Sequence, residues 1–271
     1  MDRAVIDGIE LEYEDEGVGE PVVFIHGALI ADAFRPLLSE AALADRYRLV
    51  SYHRRGYVGS SGPGGEPAGI VGHADDCRRL MSHLGVGRAH VVGHSLGAAI
   101  GLQLALVAPE LVCTLSLLEA GLLVGESAPA YRQDLVGSMG RYAEAGGNLA
   151  VHEFLERRWP AYRHELERML PGAFEQAVTD APTCYEADLP ALLDWRLGEA
   201  EARKITQPAL VVLGETSVGL HPRFGETYRT LLDWLPGAEG VILPEATHLL
   251  QTQYPGPTAD ALARFLARHP I

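Results

Sequence analysis

The sequence predicts an α/β fold built on a mostly parallel sheet with helices on both faces. Short apolar runs of the kind found in strands buried on both sides alternate with stretches of helical periodicity. The apolar runs lie at residues 22–25, 48–52, 90–92, 115–118, 209–213 and 241–243. The helical patterns lie at 70–84, 96–107, 224–234 and 258–268, and 96–107 is so apolar that we expect it to be central and buried.

A hairpin is predicted at the start of the chain, over residues 4–14. Asp7-Gly8 is a favoured two-residue turn, and the apolar residues Ile9, Leu11 and Tyr13 then alternate with acidic ones. This pattern is typical of a half-exposed antiparallel edge of a sheet.

Residues 122–202 interrupt the alternation of strands and helices. No strand-like run occurs there, and helical stretches at 150–158 and 162–170 are separated by prolines, so we interpret the segment as a helical insertion. The predicted organisation is a core of residues 1–121 and 203–271 with a helical lid over 122–202. Four aromatic residues of the lid could line a pocket, although packing within the lid is their commoner role: Trp159, Tyr162, Tyr185 and Trp195. Residues 62–67 predict a turn-rich loop.

Composition argues for a small-molecule substrate. The 271 residues contain 22 Lys and Arg against 36 Asp and Glu, a net charge of −14, which disfavours nucleic acid or an anionic membrane as a partner. No apolar run reaches about 18 residues, so no membrane-spanning helix is expected. The sequence leaves the oligomeric state open.

The three cysteines, Cys77, Cys113 and Cys184, form no C-x-x-C pair, so no zinc or redox motif is predicted. Their low, odd number suits a reducing compartment, and the first residues lack the apolar core of a signal peptide. We therefore expect a cytoplasmic protein.

Gly93-His94-Ser95-Leu96-Gly97 matches the G-x-S-x-G pattern of a nucleophile elbow. The pentapeptide alone is a weak signal, but here a predicted strand ends before it and a predicted helix starts after it. Such a turn needs small residues two positions before and after the serine, and the helix N-terminus favours developing negative charge. Ser95 is therefore the candidate nucleophile.

A serine hydroxyl needs a base, and His248 is the candidate because it closely follows the last apolar run. His90 and His94 flank or enter the elbow, and we interpret them as structural. Two backbone N–H groups normally hold the oxyanion of such a site. We expect them from Leu96, directly after the nucleophile, and from Ala28, in the loop after the run at 22–25.

Over nearly its full length the chain resembles a lid-bearing α/β-hydrolase of the serine esterase type. The resemblance implies an eight-stranded, mostly parallel sheet with the lid inserted after the sixth strand, and a serine, an acid and a histidine in that chain order. It rests on residues 26–29, 54–61, 93–97, 117–119, 211–214 and 244–248.

The acid is where this sequence departs from the family pattern. The pattern puts Asp three residues after the Gly that ends the seventh strand, and counting from Gly214 gives Ser217. A serine lacks the charge that stabilises an imidazolium. We favour Glu119, at the end of the sixth strand, over Glu215; a site without an acid stays open. A second departure is His53, where the family usually has Asp; it could touch substrate.

These residues predict hydrolysis of a carboxylic ester or related acyl bond through an acyl-enzyme, with no metal or organic cofactor required. A serine at the elbow argues against dehalogenase and epoxide hydrolase chemistry, which use Asp there in this family. Two alternatives stay open. One is a C–C bond hydrolase, thioesterase or cyclase of secondary metabolism, and the other is a ligand-binding homologue with little turnover.

Overall fold

A computed structural model describes residues 1–61 and 68–271, so the loop predicted at 62–67 lies outside the described residues. Eight strands form one sheet in the order β1-β2-β4-β3-β5-β6-β7-β8. They are β1 Asp2–Ile6, β2 Ile9–Glu16, β3 Glu20–Ile25, β4 Tyr47–Tyr52, β5 Ala89–His94, β6 Val112–Leu118, β7 Ala209–Gly214 and β8 Glu239–Leu243.

The sheet is mostly parallel, as predicted. β1 and β2 form the expected antiparallel hairpin, and its turn residues Asp7 and Gly8 both have positive φ, 50° and 83°. β2 is also antiparallel to β4, whereas the pairings from β4 through β3, β5, β6 and β7 to β8 are parallel. The carboxyl ends of the parallel strands therefore meet at one edge, where such sheets bind ligands.

Helices cover both faces of the sheet. They are α1 Arg35–Leu38, α2 Ala41–Ala44, α3 Gly69–His83, α4 Leu96–Val107, α5 Ala128–Ala145, α6 Gly147–Glu156, α7 Tyr162–Met169, α8 Ala173–Thr179, α9 Leu189–Asp194, α10 Glu199–Ala202, α11 Ser217–Leu220, α12 Arg223–Trp234, α13 Leu250–Gln253 and α14 Pro255–Leu266. A 3₁₀ turn spans Pro109–Leu111 and a π-helical turn spans Thr183–Asp188.

Alternation along the central strands divides the apolar interior into two cores. Val23 and Ile25 of β3 pack into one core with α3 and α4, whereas Val22 and Phe24 pack into the other with α1, α2 and α14. Because these central strands are buried on both faces, successive residues are all apolar, and the strands form continuous apolar runs in the sequence. Helix α4 is buried over most of its length, in agreement with its uniformly apolar sequence.

β8 differs from the expectation for its apolar run. The strand forms where residues 241–243 predicted it, but only Leu243 is buried and Ile242 is 51% exposed. β8 pairs with β7 alone among the described strands, so it is an edge strand with incomplete cover. The apolar run at 241–243 therefore predicted the position of this strand correctly, but the burial that it predicted was too high.

Six helices and the π-helical turn occupy the chain between β6 and β7, within the segment 122–202. The segment is joined to the sheet by a buried ion pair. Arg54, after β4, donates from Nη1 and Nη2 to the two carboxylate oxygens of Asp188 at 3.0 and 2.7 Å, and the Tyr57 hydroxyl donates to the same carboxylate at 2.7 Å. The assignment of this segment as a lid remains a prediction.

Candidate active site

Ser95 lies between β5 and α4 in a strained backbone conformation, with φ 53° and ψ −117°. The turn leaves no room for a side chain two residues before or two residues after Ser95. A Cβ on Gly93 would collide with the carbonyl oxygen of Gly97, and a Cβ on Gly97 would collide with that of Ile25. The local sequence therefore produces the sharp turn from strand to helix that exposes a side chain at the edge of the sheet.

Three of the predicted site residues form one chain of hydrogen bonds. His248 Nε2 lies 3.1 Å from Ser95 Oγ, and its Nδ1 lies 3.3 Å from Glu119 Oε2. The other oxygen of Glu119 accepts the N–H of Gly214, at the end of β7, at 2.6 Å. Glu119 and His248 are each only 3% exposed. The arrangement fits the predicted roles of Ser95 as nucleophile, His248 as base and Glu119 as the acid that orients the base.

The other candidate acid lies outside this chain. Glu215 is exposed, and its Oε2 accepts the backbone N–H of Glu245 at 3.1 Å. Ser217, at the position where the family pattern has Asp, is buried at the start of α11. Among the described residues, the carboxylate within hydrogen-bonding distance of His248 is that of Glu119.

The two predicted oxyanion donors flank Ser95. Leu96 is the first residue of α4, and Ala28 lines the small cavity beside Ser95. The preceding Gly27 brings the backbone close to the elbow, because a Cβ there would lie 2.9 Å from His94 Nδ1 and 3.0 Å from Ser95 Cβ. Glycine at position 27 therefore permits the close approach of this loop to the elbow.

Two other histidines have partners of their own. His94 Nε2 lies 2.8 Å from the carbonyl oxygen of His248, and the two rings are 4.8 Å apart, so His94 supports the loop that carries His248. His53 is buried between Glu12 Oε2 and Asp32 Oδ1, at 3.0 Å from each, and it does not line the cavity beside Ser95. A direct contact of His53 with substrate in that cavity has no support here.

The cavity beside Ser95 is nearly closed. Its volume is about 10 Å³, roughly the minimum for a single water molecule. Phe154, Leu155 and Arg158, from α6 and the residues after it, line it together with Ser95 and His248. The aromatic residue that the segment 122–202 contributes is thus Phe154, which sequence analysis missed. Trp195 lines a separate groove against α3.

Burial disfavours charge on both titratable members of the site. Burial raises the pKa of Glu119 to about 7, although the Gly214 N–H and the positive charge of Arg223 act in the opposite direction. Burial also lowers the pKa of His248 well below its usual value, and nearby His94, Arg223 and Arg158 lower it further. The lowered pKa favours the neutral imidazole, which is the form that can accept a proton.

Two buried arginines near the site were not predicted. Arg158 is 8% exposed and Arg223 is 2% exposed. The Arg158 guanidinium lies 3.4 Å from the ring centre of Phe154, and that of Arg223 lies 4.1 Å from Tyr131 and 3.8 Å from Phe224. Arginine is usually a surface residue, and no motif marks either position, so the sequence offered no signal for them.

The profile of the alpha/beta hydrolase fold family matches residues 20–253, and the chain belongs to this family. Membership supports an enzyme of the α/β-hydrolase class with hydrolase activity. No helix in the described ranges is long and apolar enough to cross a membrane.

Three comparisons illustrate the range of relatives. A Mycobacterium tuberculosis protein, provisionally named the non-heme bromoperoxidase BpoC, is 37% identical over 282 residues, covering 96% of this chain and 98% of its own. The 2-(acetamidomethylene)succinate hydrolase of Mesorhizobium japonicum is 27% identical, covering 97% and 94%. A thermophilic esterase structure from Thermogutta terrifontis superposes with a TM-score of 0.84 at 20% identity over 100% of both chains, which shows a shared fold.

Other curated relatives match over a smaller part of their length. The aligned region covers 64%, 40% and 30% of three of them, which include acetyltransferase components of acetoin-cleaving systems. The names of these proteins cover several different activities, and fold alone does not decide among them.

Proposed function

We propose that this chain is a cytoplasmic serine hydrolase that cleaves a carboxylic ester or related acyl bond of a small molecule through an acyl-enzyme. The observation that carries the proposal is the hydrogen-bonded chain Ser95–His248–Glu119 behind a strained elbow. A thermophilic esterase with the same fold and a hydrolase among the sequence relatives agree with the proposal of a hydrolase.

In the first half of the proposed reaction, Ser95 Oγ attacks the carbonyl carbon while His248 Nε2 takes the hydroxyl proton. The N–H groups of Leu96 and Ala28 hold the oxyanion of the tetrahedral intermediate. Glu119 stabilises the imidazolium and fixes the orientation of the ring. The intermediate then collapses, His248 gives the proton to the leaving oxygen, and an alcohol departs from the acyl-enzyme.

In the second half, His248 takes a proton from water as the water oxygen attacks the acyl carbon. Collapse of the second intermediate breaks the bond to Ser95 Oγ, which regains the proton from His248, and the carboxylic acid leaves. The ligand-binding alternative is favoured by Ser217, which stands where the family pattern has Asp and cannot supply a carboxylate to His248. Glu119 weakens this alternative, because its carboxylate lies within hydrogen-bonding distance of His248.

Replacing Ser95 with Ala tests the nucleophile. We expect hydrolysis of p-nitrophenyl acetate to fall by about 10⁴-fold or more, since the acyl-enzyme can no longer form. A fluorophosphonate probe should label the wild-type protein at Ser95, as located by mass spectrometry, and should not label Ser95→Ala. An unchanged rate in the variant, or no labelling of the wild type, would contradict the proposal.

Replacing Glu119 with Gln tests the acid, with Glu215→Gln as the matched control. We expect Glu119→Gln to lower kcat by roughly 10³- to 10⁴-fold, because the neutral amide no longer stabilises the imidazolium. Glu215→Gln should stay within about twofold, since its exposed carboxylate does not contact His248. A larger loss in Glu215→Gln would overturn the assignment.

The kind of bond that is cleaved is tested by comparing the rates of hydrolysis of a matched panel of esters, thioesters and diketones. Faster cleavage of the diketones would favour a C–C bond hydrolase over an enzyme of acyl bonds.

A further inference from the structure

We propose that the substrate carries a carboxylate group and that Arg158 and Arg223 bind this group in a cavity next to Ser95. The inference rests on the proposed function and adds the substrate class. It is carried by the position and burial of the two guanidinium groups and by the absence of a salt bridge to either of them within the described residues.

A second cavity adjoins the nearly closed one. Its volume is about 350 Å³, within the range of ligand pockets, and its lining includes Tyr131, Arg158, Arg223 and Phe224. Arg158 lines both this cavity and the one that contains Ser95. Phe224 also joins the two, because its ring lies 5.1 Å from that of His248. The second cavity is therefore separated from the reacting groups by the side chains of Arg158 and Phe224.

Arg223 is a buried cation with an unused donor. Its Nη1 is buried without a hydrogen-bond partner among the described residues, and within those residues neither Arg223 nor Arg158 forms a salt bridge. Burying an ionised group without a counter-charge is strongly unfavourable. A ligand that supplies a negative charge would offset this cost, and a planar guanidinium matches the geometry of a carboxylate.

The acidic residues of the second cavity do not neutralise its buried end. Asp134 has a side chain that is 56% exposed, and it lies 3.6 Å from His221 rather than at either guanidinium. Glu156 accepts the backbone N–H of Ala161 at 3.0 Å. Burial would raise the pKa of the Tyr131 hydroxyl, but the charges of Arg223 and Arg158 lower it instead, which agrees with a strongly positive environment. These two carboxylates also make the cavity less suitable for a dianion such as phosphate.

A matched pair of esters tests the inference. Mono-p-nitrophenyl adipate and p-nitrophenyl hexanoate have acyl chains of equal length, and only the first ends in a carboxylate. We expect wild-type kcat/KM to favour the adipate ester by about tenfold or more, and the ratio to fall by about 10- to 100-fold in Arg223→Met and in Arg158→Met. Arg223→Lys should restore part of the preference because it keeps the charge.

Arg157→Met is the matched control. Arg157 lines the same cavity, but its side chain is 42% exposed and paired with Glu153, so the ratio of the two esters should not change. An equal fall in Arg157→Met would indicate a general effect of surface charge and would overturn the assignment to the two buried arginines.

Binding without turnover separates this inference from the proposed function. Adipate should raise the thermal midpoint of Ser95→Ala in a saturable way, adipamide and inorganic phosphate should not, and Arg223→Met in that background should remove the effect. If the wild type cleaves the hexanoate ester at Ser95 but shows no preference for adipate and no stabilisation by it, the carboxylate site is wrong and the proposed function stands. Stabilisation by phosphate alone also overturns the inference.

If Ser95 is not labelled and no ester is cleaved, the proposed function is wrong. The carboxylate site is then judged on binding alone: adipate stabilisation that depends on Arg223 supports it, and the absence of stabilisation overturns it.

Discussion

Two regions of the molecule bury arginine side chains. In one region the arginine forms a salt bridge, and in the other the arginines form none within the described residues. Arg54 is 1% exposed and meets Asp188, which is fully buried, in a two-pronged ion pair. Its remaining donors reach the carbonyl oxygens of His26 and Gly27 at 3.2 and 3.0 Å. Arg223 is as deeply buried, yet aromatic rings take the place of a carboxylate around it.

The difference separates a structural role from a binding role. The paired arginine fixes the loop after β4 to the π-helical turn of the segment 122–202, and the Arg54 guanidinium holds the pKa of the Asp188 carboxyl well below its usual range despite the burial. The unpaired arginines leave positive charge beside Ser95 and His248. Stability is therefore expected to depend on the first region and substrate selection on the second.

The largest effect is expected from breaking the paired region. Asp188→Asn removes the counter-charge of Arg54 and should lower the free energy of unfolding by about 3–5 kcal/mol, measured by urea denaturation. The exposed Asp194, at the end of α9, provides the control, and Asp194→Asn should change stability by less than about 0.5 kcal/mol. A loss in Asp188→Asn no larger than in the control would contradict a structural role for the pair.

A much smaller effect on stability is expected in the unpaired region. Arg223→Met removes a buried cation that has no carboxylate partner, so the free energy of unfolding should stay within about 1 kcal/mol of the wild type or rise. The same denaturation series provides the measurement. Destabilisation comparable to that of Asp188→Asn would mean that Arg223 is a structural residue and would remove the contrast between the regions.

His53 is a buried side chain whose positive charge depends on pH. Replacing it should change the free energy of unfolding by less than either arginine-region variant that affects stability. Burial would lower the pKa of His53, but Asp32 and Glu12 together raise it. A raised folded-state pKa means that the stabilisation is fully present below the unfolded-state value, about 6.5, and is lost as pH rises through the folded-state value. His53→Asn should therefore flatten the dependence of unfolding free energy on pH above about 6.5, whereas the exposed His83→Asn should not. A slope unchanged in His53→Asn would refute this account.

Sequence patterns predicted the fold well because a buried strand produces a run of apolar residues and a helix with one buried face produces a periodic pattern. The parallel strands appeared as apolar runs, and the elbow glycines Gly93 and Gly97 were required by contacts that no other residue tolerates. The exposure of β8 was not predictable in this way. A run of apolar residues indicates that a segment forms a strand in a sheet. How far that strand is buried depends on which distant helices and loops pack against it.

The site was predictable only where its chemistry is local. Ser95 and His248 follow strands that end at one edge of the sheet, so their meeting follows from topology. The choice of Glu119 depended on a family pattern and on the absence of Asp at position 217, and its functional role stays a prediction. Arg158 follows α6 and Arg223 begins α12, in different parts of the chain, and only the three-dimensional packing brings them together.

The small volume beside Ser95 has a kinetic consequence. A space of about 10 Å³ cannot admit an acyl group, so Phe154, Leu155 or Arg158 has to move before any substrate reaches the serine, and again before product departs. Rearrangements of this size take microseconds to milliseconds and limit turnover in many enzymes. The proposed hydrolysis therefore includes an opening step around residue 154, and the rate of that step does not depend on how readily the carbonyl is attacked.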